Sequence, residues 1–145
     1  MIEYVCGFLF CVERVLLIRK ARPAWQKGKY NGIGGKIEKS DKNPLDAMCR
    51  EFKEETGYSF NAWKKFAELT DGESRRVHFF TGRAPAINFR VVMNLVGTDP
   101  EEPVVNFEGT PKLAIPNLNW LIPMARCADE GGGEFYRITE ERRGW

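Results

Sequence analysis

The stretch from Asn31 to Tyr58 constrains the fold most, because it joins a cluster of glycines to a segment with the signals of a capped helix. Asn43 is a preferred N-cap residue, and Pro44 suits the first helical position. Gly57 suits the left-handed position that follows the last turn. The sequence therefore predicts a helix from Pro44 to Thr56 that closely follows a glycine loop.

Three carboxylates of this helix share one face. Glu51, Glu54 and Glu55 have the i, i+3, i+4 spacing that gathers side chains on one side of a helix. A hard cation would remove their mutual repulsion, and carboxylate oxygens suit Mg²⁺ or Mn²⁺, whereas zinc favours His or Cys. The neighbouring face is apolar and carries Leu45, Met48, Cys49 and Phe52.

Glycines lie just before the helix, at Gly32, Gly34 and Gly35. Because glycine has no Cβ atom, the backbone can come close to a neighbouring group. Adjacent glutamates alone are more often a solvated helix surface, but the glycines and the helix caps favour a metal site. Protein-bound Mg²⁺ commonly has substrate phosphates in its coordination shell, which indicates a phosphate-bearing substrate.

The composition indicates a single domain, residues 1–145. With 43% hydrophobic and 29% charged residues, the chain can form one hydrophobic core. A net charge of +2 is too small to indicate a nucleic-acid or membrane partner. The four cysteines lack metal-site spacing, and no signal peptide or membrane-length apolar run is recognisable. These observations favour a cytoplasmic protein with reduced thiols.

Residue patterns predict further strands and a second helix. The predicted strands are Tyr4–Val12, Val15–Arg19, Gly35–Glu38, Lys65–Leu69, Arg76–Thr81, Asn88–Val96 and Glu134–Thr139. A helix is predicted from Asn117 to Ala128, unless Pro123 marks its start after a short strand from Trp120 to Ile122. Irregular loops are predicted for Ala21–Tyr30 and Asp99–Pro116. This order of elements indicates an α+β fold with helices packed on a mixed sheet.

The segment around the first helix resembles the Nudix box, which reads G, five residues, E, seven residues, then REUxEExGU with U apolar. Gly35 and Asp41 match the first spacing, and the run from Arg50 to Tyr58 matches the second half. Asp41 replaces the usual Glu, and eight residues instead of seven separate it from Arg50. Asp41 either takes the role of that Glu or only helps to cap the helix. The resemblance implies an α/β/α sandwich, a mixed β-sheet with helices on both faces.

The resemblance also implies a metal-dependent pyrophosphohydrolase. The implied metal ligands are Gly35, Glu51, Glu54 and Glu55, with Mg²⁺ as the cation and Mn²⁺ as an alternative. The predicted catalytic residues are Glu54, Arg50 and Glu102. Arg50 lies four residues before Glu54 and would hold that side chain in a metal-binding position.

The general base stays open between the helix and a later loop. Glu54 is the first candidate, and Glu101, Glu102 and Glu108 are the alternatives. His78 is the single histidine of the chain, but it is expected to be packed and hydrogen-bonded within a strand.

The segment before the box, from Trp25 to Lys36, is similar to Nudix enzymes that hydrolyse oxidised purine nucleoside triphosphates. The similarity implies that Trp25 and Asn31 face the base, since an indole can stack on a purine and an amide both donates and accepts hydrogen bonds. Lys36 would contact phosphate, and Trp120 would form the opposite wall. The alternative for the tryptophans is a position in the core, and the alternative for Lys36 is a solvated position on the surface.

The predicted function is Mg²⁺-dependent hydrolysis of a nucleoside triphosphate, with oxidised purine nucleotides as candidates, to the monophosphate and pyrophosphate. One alternative is another nucleoside-diphosphate-linked substrate, such as ADP-ribose, a dinucleotide or an RNA cap. A second alternative is a domain that binds a nucleotide without hydrolysing it. The expected partner is a small-molecule nucleotide, with no membrane partner and no nucleic acid other than a capped RNA end. A homodimer is compatible with the sequence.

Overall fold

The structure, a computed structural model, describes residues 1–141. The strands are β1 (Ile2–Cys11), β2 (Arg14–Arg19), β3 (Tyr30–Asn31), β4 (Ile33–Lys36), β5 (Lys64–Thr70), β6 (Arg75–Arg83), β7 (Val104–Phe107) and β8 (Tyr136–Thr139). The helices are α1 (Pro44–Thr56), α2 (Phe89–Met93) and α3 (Leu118–Asp129). Short 3-10 turns lie at Ala24–Gln26 and Ala86–Asn88.

These strands form one mixed sheet in the order β3-β2-β1-β6-β5-β8, with β4 also paired to β1 and β7 also paired to β2. The β1–β6 and β5–β8 pairs are parallel, and the remaining pairs are antiparallel. The first half of β1 pairs with β4, and its last residues pair with β2. The sheet therefore divides beside β1, and the glycine segment of β4 lies at this division.

Different helices cover the two faces of the sheet. On one face, Phe8 packs in a core with Leu118 of α3. On the other face, Leu9 packs in a core with Phe52 of α1 and Val92 of α2. Successive residues of a strand point to opposite faces, so β1 contributes to both cores. The predicted α+β fold, an α/β/α sandwich with a mixed sheet, is confirmed.

The helix α1 has the predicted bounds and caps. Asn43 Oδ1 accepts a hydrogen bond from the Asp46 N–H at 2.8 Å. Gly57 has a φ of 76°, in the left-handed region, and its N–H donates to the Lys53 carbonyl at 2.8 Å. Local signals therefore suffice to define this helix.

The apolar face of α1 differs in part from the predicted one. Met48 and Phe52 are buried as predicted, whereas Leu45 is 40% exposed. Ala47 and Glu51 are buried as well. The buried face is therefore rotated toward the carboxylates, and one predicted metal ligand lies at its margin.

The predicted strand Asn88–Val96 is wrong, because this segment forms the end of a 3-10 turn and the helix α2. Phe89, Val92 and Met93 pack against the α1-side core. Their i, i+3, i+4 spacing is helical, whereas the β-branched residues of the segment suggest a strand.

Two further predictions in the second half of the chain need correction. The predicted loop Asp99–Pro116 contains β7, which pairs antiparallel with β2 over Val104 to Phe107. Pro123 lies inside α3, so the alternative strand from Trp120 to Ile122 is wrong. The four residues of β7 are too few to give a strand pattern among the surrounding prolines and glutamates.

All four thiols are free: Cys6 and Cys11 are buried, Cys49 is half-buried and Cys127 is exposed. Within residues 1–141, no helix combines the length and apolar character needed to span a membrane.

Candidate active site

The glutamates of α1 differ in exposure. Glu51 is buried, Glu54 is exposed and Glu55 is half-buried. A Cβ atom on Gly35 would lie 2.7 Å from the Glu51 carboxylate, so a larger residue at this position would collide with that side chain. Two predicted metal ligands, Gly35 and Glu51, are therefore direct neighbours.

Arg50 links the carboxylates around it. Its Nη1 donates to Glu51 Oε1 at 3.0 Å and to Glu54 Oε2 at 3.2 Å. Its Nε and Nη2 donate to the two oxygens of Asp41 at 2.9 and 2.8 Å. The predicted contact between Arg50 and Glu54 is present. The hydrogen bonds to Asp41 raise the pKa of Arg50 above its ordinary value, which favours the charged guanidinium.

Both carboxylate oxygens of Asp41 accept hydrogen bonds from Arg50. Its Oδ2 also accepts from the Glu38 N–H at 2.9 Å, whereas the side-chain cap of α1 is Asn43. The alternative that Asp41 only caps the helix is therefore wrong. The Arg50 guanidinium lowers the pKa of Asp41 below its usual range. The longer connection to α1 accompanies a shorter side chain, and the ion pair still forms.

Burial changes the acidity of two glutamates on α1. It raises the pKa of Glu51 above its ordinary value, against the hydrogen bond from Arg50. It also raises the pKa of Glu55, against the positive charge of Lys20. Burial disfavours the charged form because solvation is lost. A cation that bound these carboxylates would stabilise their charged forms.

The donors of this face fit a hard cation in type. In residues 1–141, no group of three or more His, Cys, Asp and Glu side chains is arranged to hold a metal ion. Arg50 Nη1 donates hydrogen bonds to both Glu51 and Glu54. Arg50 would therefore compete with a cation for these carboxylate oxygens. Carboxylate and carbonyl oxygens are nevertheless the donors that Mg²⁺ and Mn²⁺ use.

A cavity of about 360 Å³ lies beside Gly35. The side chains that matter for binding in its lining are Lys20, Trp25, Gln26, Asn31 and Arg75. The structure thus brings the predicted base-contacting residues Trp25 and Asn31 to the same cavity as Gly35. Gly35 in turn contacts the margin of the carboxylate face.

The Asn31 amide is held in place by three neighbours. Its Nδ2 donates to Gln26 Oε1 at 3.0 Å, and its Oδ1 accepts from the Gly32 N–H at 2.7 Å and from the Cys6 thiol at 3.8 Å. Burial raises the pKa of Cys6 to about 12, so this thiol is neutral. Trp25 is 55% exposed, and its indole is therefore accessible to a ligand.

Two predicted substrate contacts lie elsewhere. Lys36 is exposed at the end of β4, and its carbonyl accepts from Arg50 Nη2 at 3.2 Å. Trp120 is 36% exposed on α3. Neither side chain is part of the cavity lining in the described chain. Their contacts with substrate stay predictions, and Arg75 and Val77 of β6 border the cavity instead.

Of the three loop glutamates, Glu102 is buried, whereas Glu101 and Glu108 are exposed. Glu102 Oε2 accepts from the Ala21 N–H at 2.9 Å and lies 3.4 Å from Lys20 Nζ. Burial acts to raise the pKa of Glu102, but the Ala21 N–H and the Lys20 charge lower it below its ordinary value. Glu102 therefore ties the loop after β2 to the loop before β7, and its catalytic role stays a prediction.

His78 is buried on β6, as expected. Its Nε2 lies 2.9 Å from Glu3 Oε1, while its Nδ1 has no hydrogen-bond partner in the described residues. The ring is thus satisfied at one nitrogen and not at both. His78 does not line the cavity, so the structure does not bring it to the candidate site.

Sequence reasoning missed Lys20, Gln26 and Arg75 as cavity residues. Lys20 and Gln26 precede the glycine segment in a stretch without periodicity. Arg75 begins a strand that joins β1 only through long-range parallel pairing. The local signal for cavity residues is the alternation of side chains along β1, which places Tyr4 and Cys6 of the lining on the same face of the sheet.

Comparison with known proteins identifies the family. Residues 4–116 match the NUDIX domain. A MutT NUDIX hydrolase from Burkholderia pseudomallei is 17% identical, with 85% of this chain and 96% of that chain covered and a TM-score of 0.65. An ADP-ribose pyrophosphatase from Streptococcus suis is 16% identical, with 95% and 98% covered and a TM-score of 0.64.

A third solved structure contains a ligand. The NUDIX domain of Shewanella oneidensis NrtR, complexed with ADP ribose, is 16% identical, with 87% of this chain and 86% of that chain covered and a TM-score of 0.65. No curated protein matches this chain by sequence. At these identities the structural likeness shows the fold, and the domain match shows the family. The chain belongs to the Nudix family of pyrophosphohydrolases.

Proposed function

We propose that this protein hydrolyses a purine nucleoside triphosphate, oxidised forms included, to the monophosphate and pyrophosphate with the help of Mg²⁺. The observation that carries the proposal is the cavity that joins Trp25 and Asn31 to Gly35, which touches Glu51 on α1. Its volume of about 360 Å³ is near the lower end for small-molecule sites. That size suits one nucleobase with part of its sugar.

Base recognition rests on Trp25 and Asn31. The exposed indole offers an apolar face for stacking. The Asn31 amide is oriented by Gln26 and the Gly32 N–H, and its second Nδ2 hydrogen can donate to a base edge. Neighbours that hold the amide before the ligand arrives reduce the entropy lost on binding.

Phosphate binding rests on the cations and backbone between the cavity and α1. Lys20 lines the cavity, and its charge acts on Glu55. A phosphate chain that extended from the cavity toward the carboxylates would therefore come near Lys20. Lys36, exposed at the end of β4, would contact its outer oxygens.

The residues that would hold Mg²⁺ or Mn²⁺ are Glu51, Glu54, Glu55 and the Gly35 carbonyl. A cation bound there supplies charge neutralisation on the phosphates and lowers the pKa of a water molecule. Arg50 positions Glu51 and Glu54 through Nη1. Glu54 is the first candidate for accepting the proton of the attacking water, and Glu102 is the alternative.

A nucleotide panel tests this function. The panel contains dGTP, 8-oxo-dGTP, dATP, ADP-ribose, a dinucleoside polyphosphate and capped RNA, each with Mg²⁺. We expect pyrophosphate and monophosphate from the triphosphates, with a higher kcat/KM than for the other compounds. Faster hydrolysis of a diphosphate-linked compound than of the triphosphates would contradict the proposed substrate class. Nucleotide binding without any turnover would contradict the activity and favour a binding domain.

A further inference from the structure

We propose that Arg75 determines base specificity, because its guanidinium binds the keto-bearing edge of a 6-oxopurine in the cavity. The inference rests on the proposed function, since it requires the cavity to bind a nucleobase.

The sheet places Arg75 across β1 from the predicted base-contacting residues. In the sheet β1 lies between β4 and β6, so that Tyr4 pairs with Lys36 on one side and with Val77 on the other. Trp25 precedes β4 in the chain, and Arg75 begins β6. Trp25 and Arg75 line the same cavity, so a planar base that occupied it would be within reach of both side chains.

The charged side chains that line the cavity are both cations. Lys20 and Arg75 are its charged lining residues in the described chain, and no carboxylate is among them. Lys20 lies 3.4 Å from Glu102, on the side of the carboxylate face. Arg75 pairs with Ile2 and Gly35 with Val5, so they lie three residues apart along β1, or about 10 Å.

The Arg75 side chain is held in position while staying accessible. Its Nη2 donates to Glu140 Oε2 at 2.9 Å, and its side chain is 38% exposed. Thr70 Oγ1 donates to the Arg75 carbonyl at 2.9 Å, which fixes the backbone. A guanidinium carries five N–H donors, so one ion pair leaves capacity for a ligand.

Donor and acceptor chemistry selects the base. Guanidinium only donates hydrogen bonds. An unoxidised 6-oxopurine presents O6 and N7, two adjacent acceptors, whereas adenine presents an amino donor beside N7. An 8-oxo-6-oxopurine carries a hydrogen on N7 and therefore offers only O6 on this edge. Arg75 would pair with the edge of the unoxidised 6-oxopurine and oppose that of adenine. A bidentate pair of this kind discriminates against the wrong base by about tenfold or more.

The decisive measurement is calorimetric binding of dIMP, dGMP and dAMP. These products need no turnover, and dIMP carries the 6-keto group without the 2-amino group. We expect the wild-type protein to bind dIMP and dGMP about tenfold tighter than dAMP. Arg75→Met should reduce this ratio to near one. Arg75→Gln, whose amide can accept a hydrogen bond, should bind dAMP more tightly than wild type.

Two control variants separate base recognition from structure. Glu140→Gln breaks the ion pair but keeps the guanidinium, so it should retain the dIMP preference. Arg76→Met removes the next cation along β6, which contacts Glu3 at 3.7 Å on the opposite face of the sheet, and should also retain it. If Glu140→Gln loses the preference as Arg75→Met does, with equal loss of thermal stability, Arg75 is structural and the proposal is overturned.

Turnover distinguishes the two proposals. Unchanged dIMP preference in both Arg75 variants overturns the role of Arg75, and pyrophosphate release from dITP would then still support the proposed function. The predicted binding ratios without pyrophosphate release would support Arg75 and contradict the function. A wild-type protein that binds all three monophosphates equally, or none, overturns the role of Arg75.

Discussion

At the scale of single residues, one guanidinium organises the acidic groups beside the cavity. Arg50 contacts Asp41 through two nitrogens and shares a third nitrogen between Glu51 and Glu54. The arrangement keeps mutually repelling carboxylates close together before a cation is bound. Gly35 contributes by leaving space for the Glu51 carboxylate.

Replacing Glu55 tests the ligand assignment. Glu55→Gln should lower kcat/KM by about 100-fold or more, beyond the effect of losing a partner outside the coordination sphere, because a neutral amide binds Mg²⁺ poorly. Pyrophosphate release and thermal melting measure activity and fold. Glu73→Gln, at an exposed turn, is the matched control. Full activity of Glu55→Gln would remove Glu55 from the ligand set.

Asp41 gives a pH-dependent contribution to stability. Because Arg50 lowers its pKa in the folded state, the unfolded chain binds more protons in acid. The contribution is complete above the ordinary Asp pKa of about 4 and is lost as the pH falls through the folded value. Asp41→Asn should therefore lower Tm at neutral pH and reduce the loss of Tm in acid. If the difference in Tm between variant and wild type were the same at every pH, Asp41 would make no such contribution.

At the scale of elements, helix α1 and the loop before it define the candidate site. The caps, the proline and the carboxylate spacing are local, and for this reason the sequence predicts α1 well. The centre of the predicted strand Asn88–Val96 forms the helix α2 instead, because packing of Phe89 and Val92 outweighs β propensity. Arg75 could not be predicted, since its place depends on pairing with β1, more than 70 residues earlier.

The cap of α1 should contribute to stability without touching substrate. Asn43→Ala removes the acceptor for the Asp46 N–H and should cost about 1 kcal/mol of unfolding free energy. Urea denaturation measures the loss, and kcat/KM should stay near the wild-type value. Ser40→Ala, exposed in the same loop, is the control. Equal stability of both variants would show that the cap contributes nothing measurable.

The length of the loop and the identity of residue 41 should be coupled. Asp41→Glu alone, or deletion of the exposed Lys42 alone, should weaken the contact with Arg50 and lower kcat/KM. The two changes together restore the usual length and the usual glutamate, and should recover most activity. A double-mutant cycle measures this coupling. Additive losses would contradict compensation between the loop and the side chain.

At the scale of the whole molecule, the division of the sheet beside β1 positions the site. β4 and β6 flank β1, so the cavity, the glycine backbone and α1 meet at one place. Hydrophobic patterns predict most of the strands and two of the helices, and the resemblance to the Nudix box implies the sandwich of layers. The borders of the cavity come from strand order, which local patterns do not contain.

The central claim is hydrolysis of a purine nucleoside triphosphate at this junction, and pyrophosphate release is its most direct test. Wild-type protein with Mg²⁺ should release pyrophosphate and monophosphate from 8-oxo-dGTP or dGTP, and chelation of the metal should abolish the reaction. Asn31→Ala should raise KM clearly while leaving Tm close to the wild-type value. Absence of pyrophosphate from every purine triphosphate, with the wild-type protein folded and Mg²⁺ present, would contradict the claim.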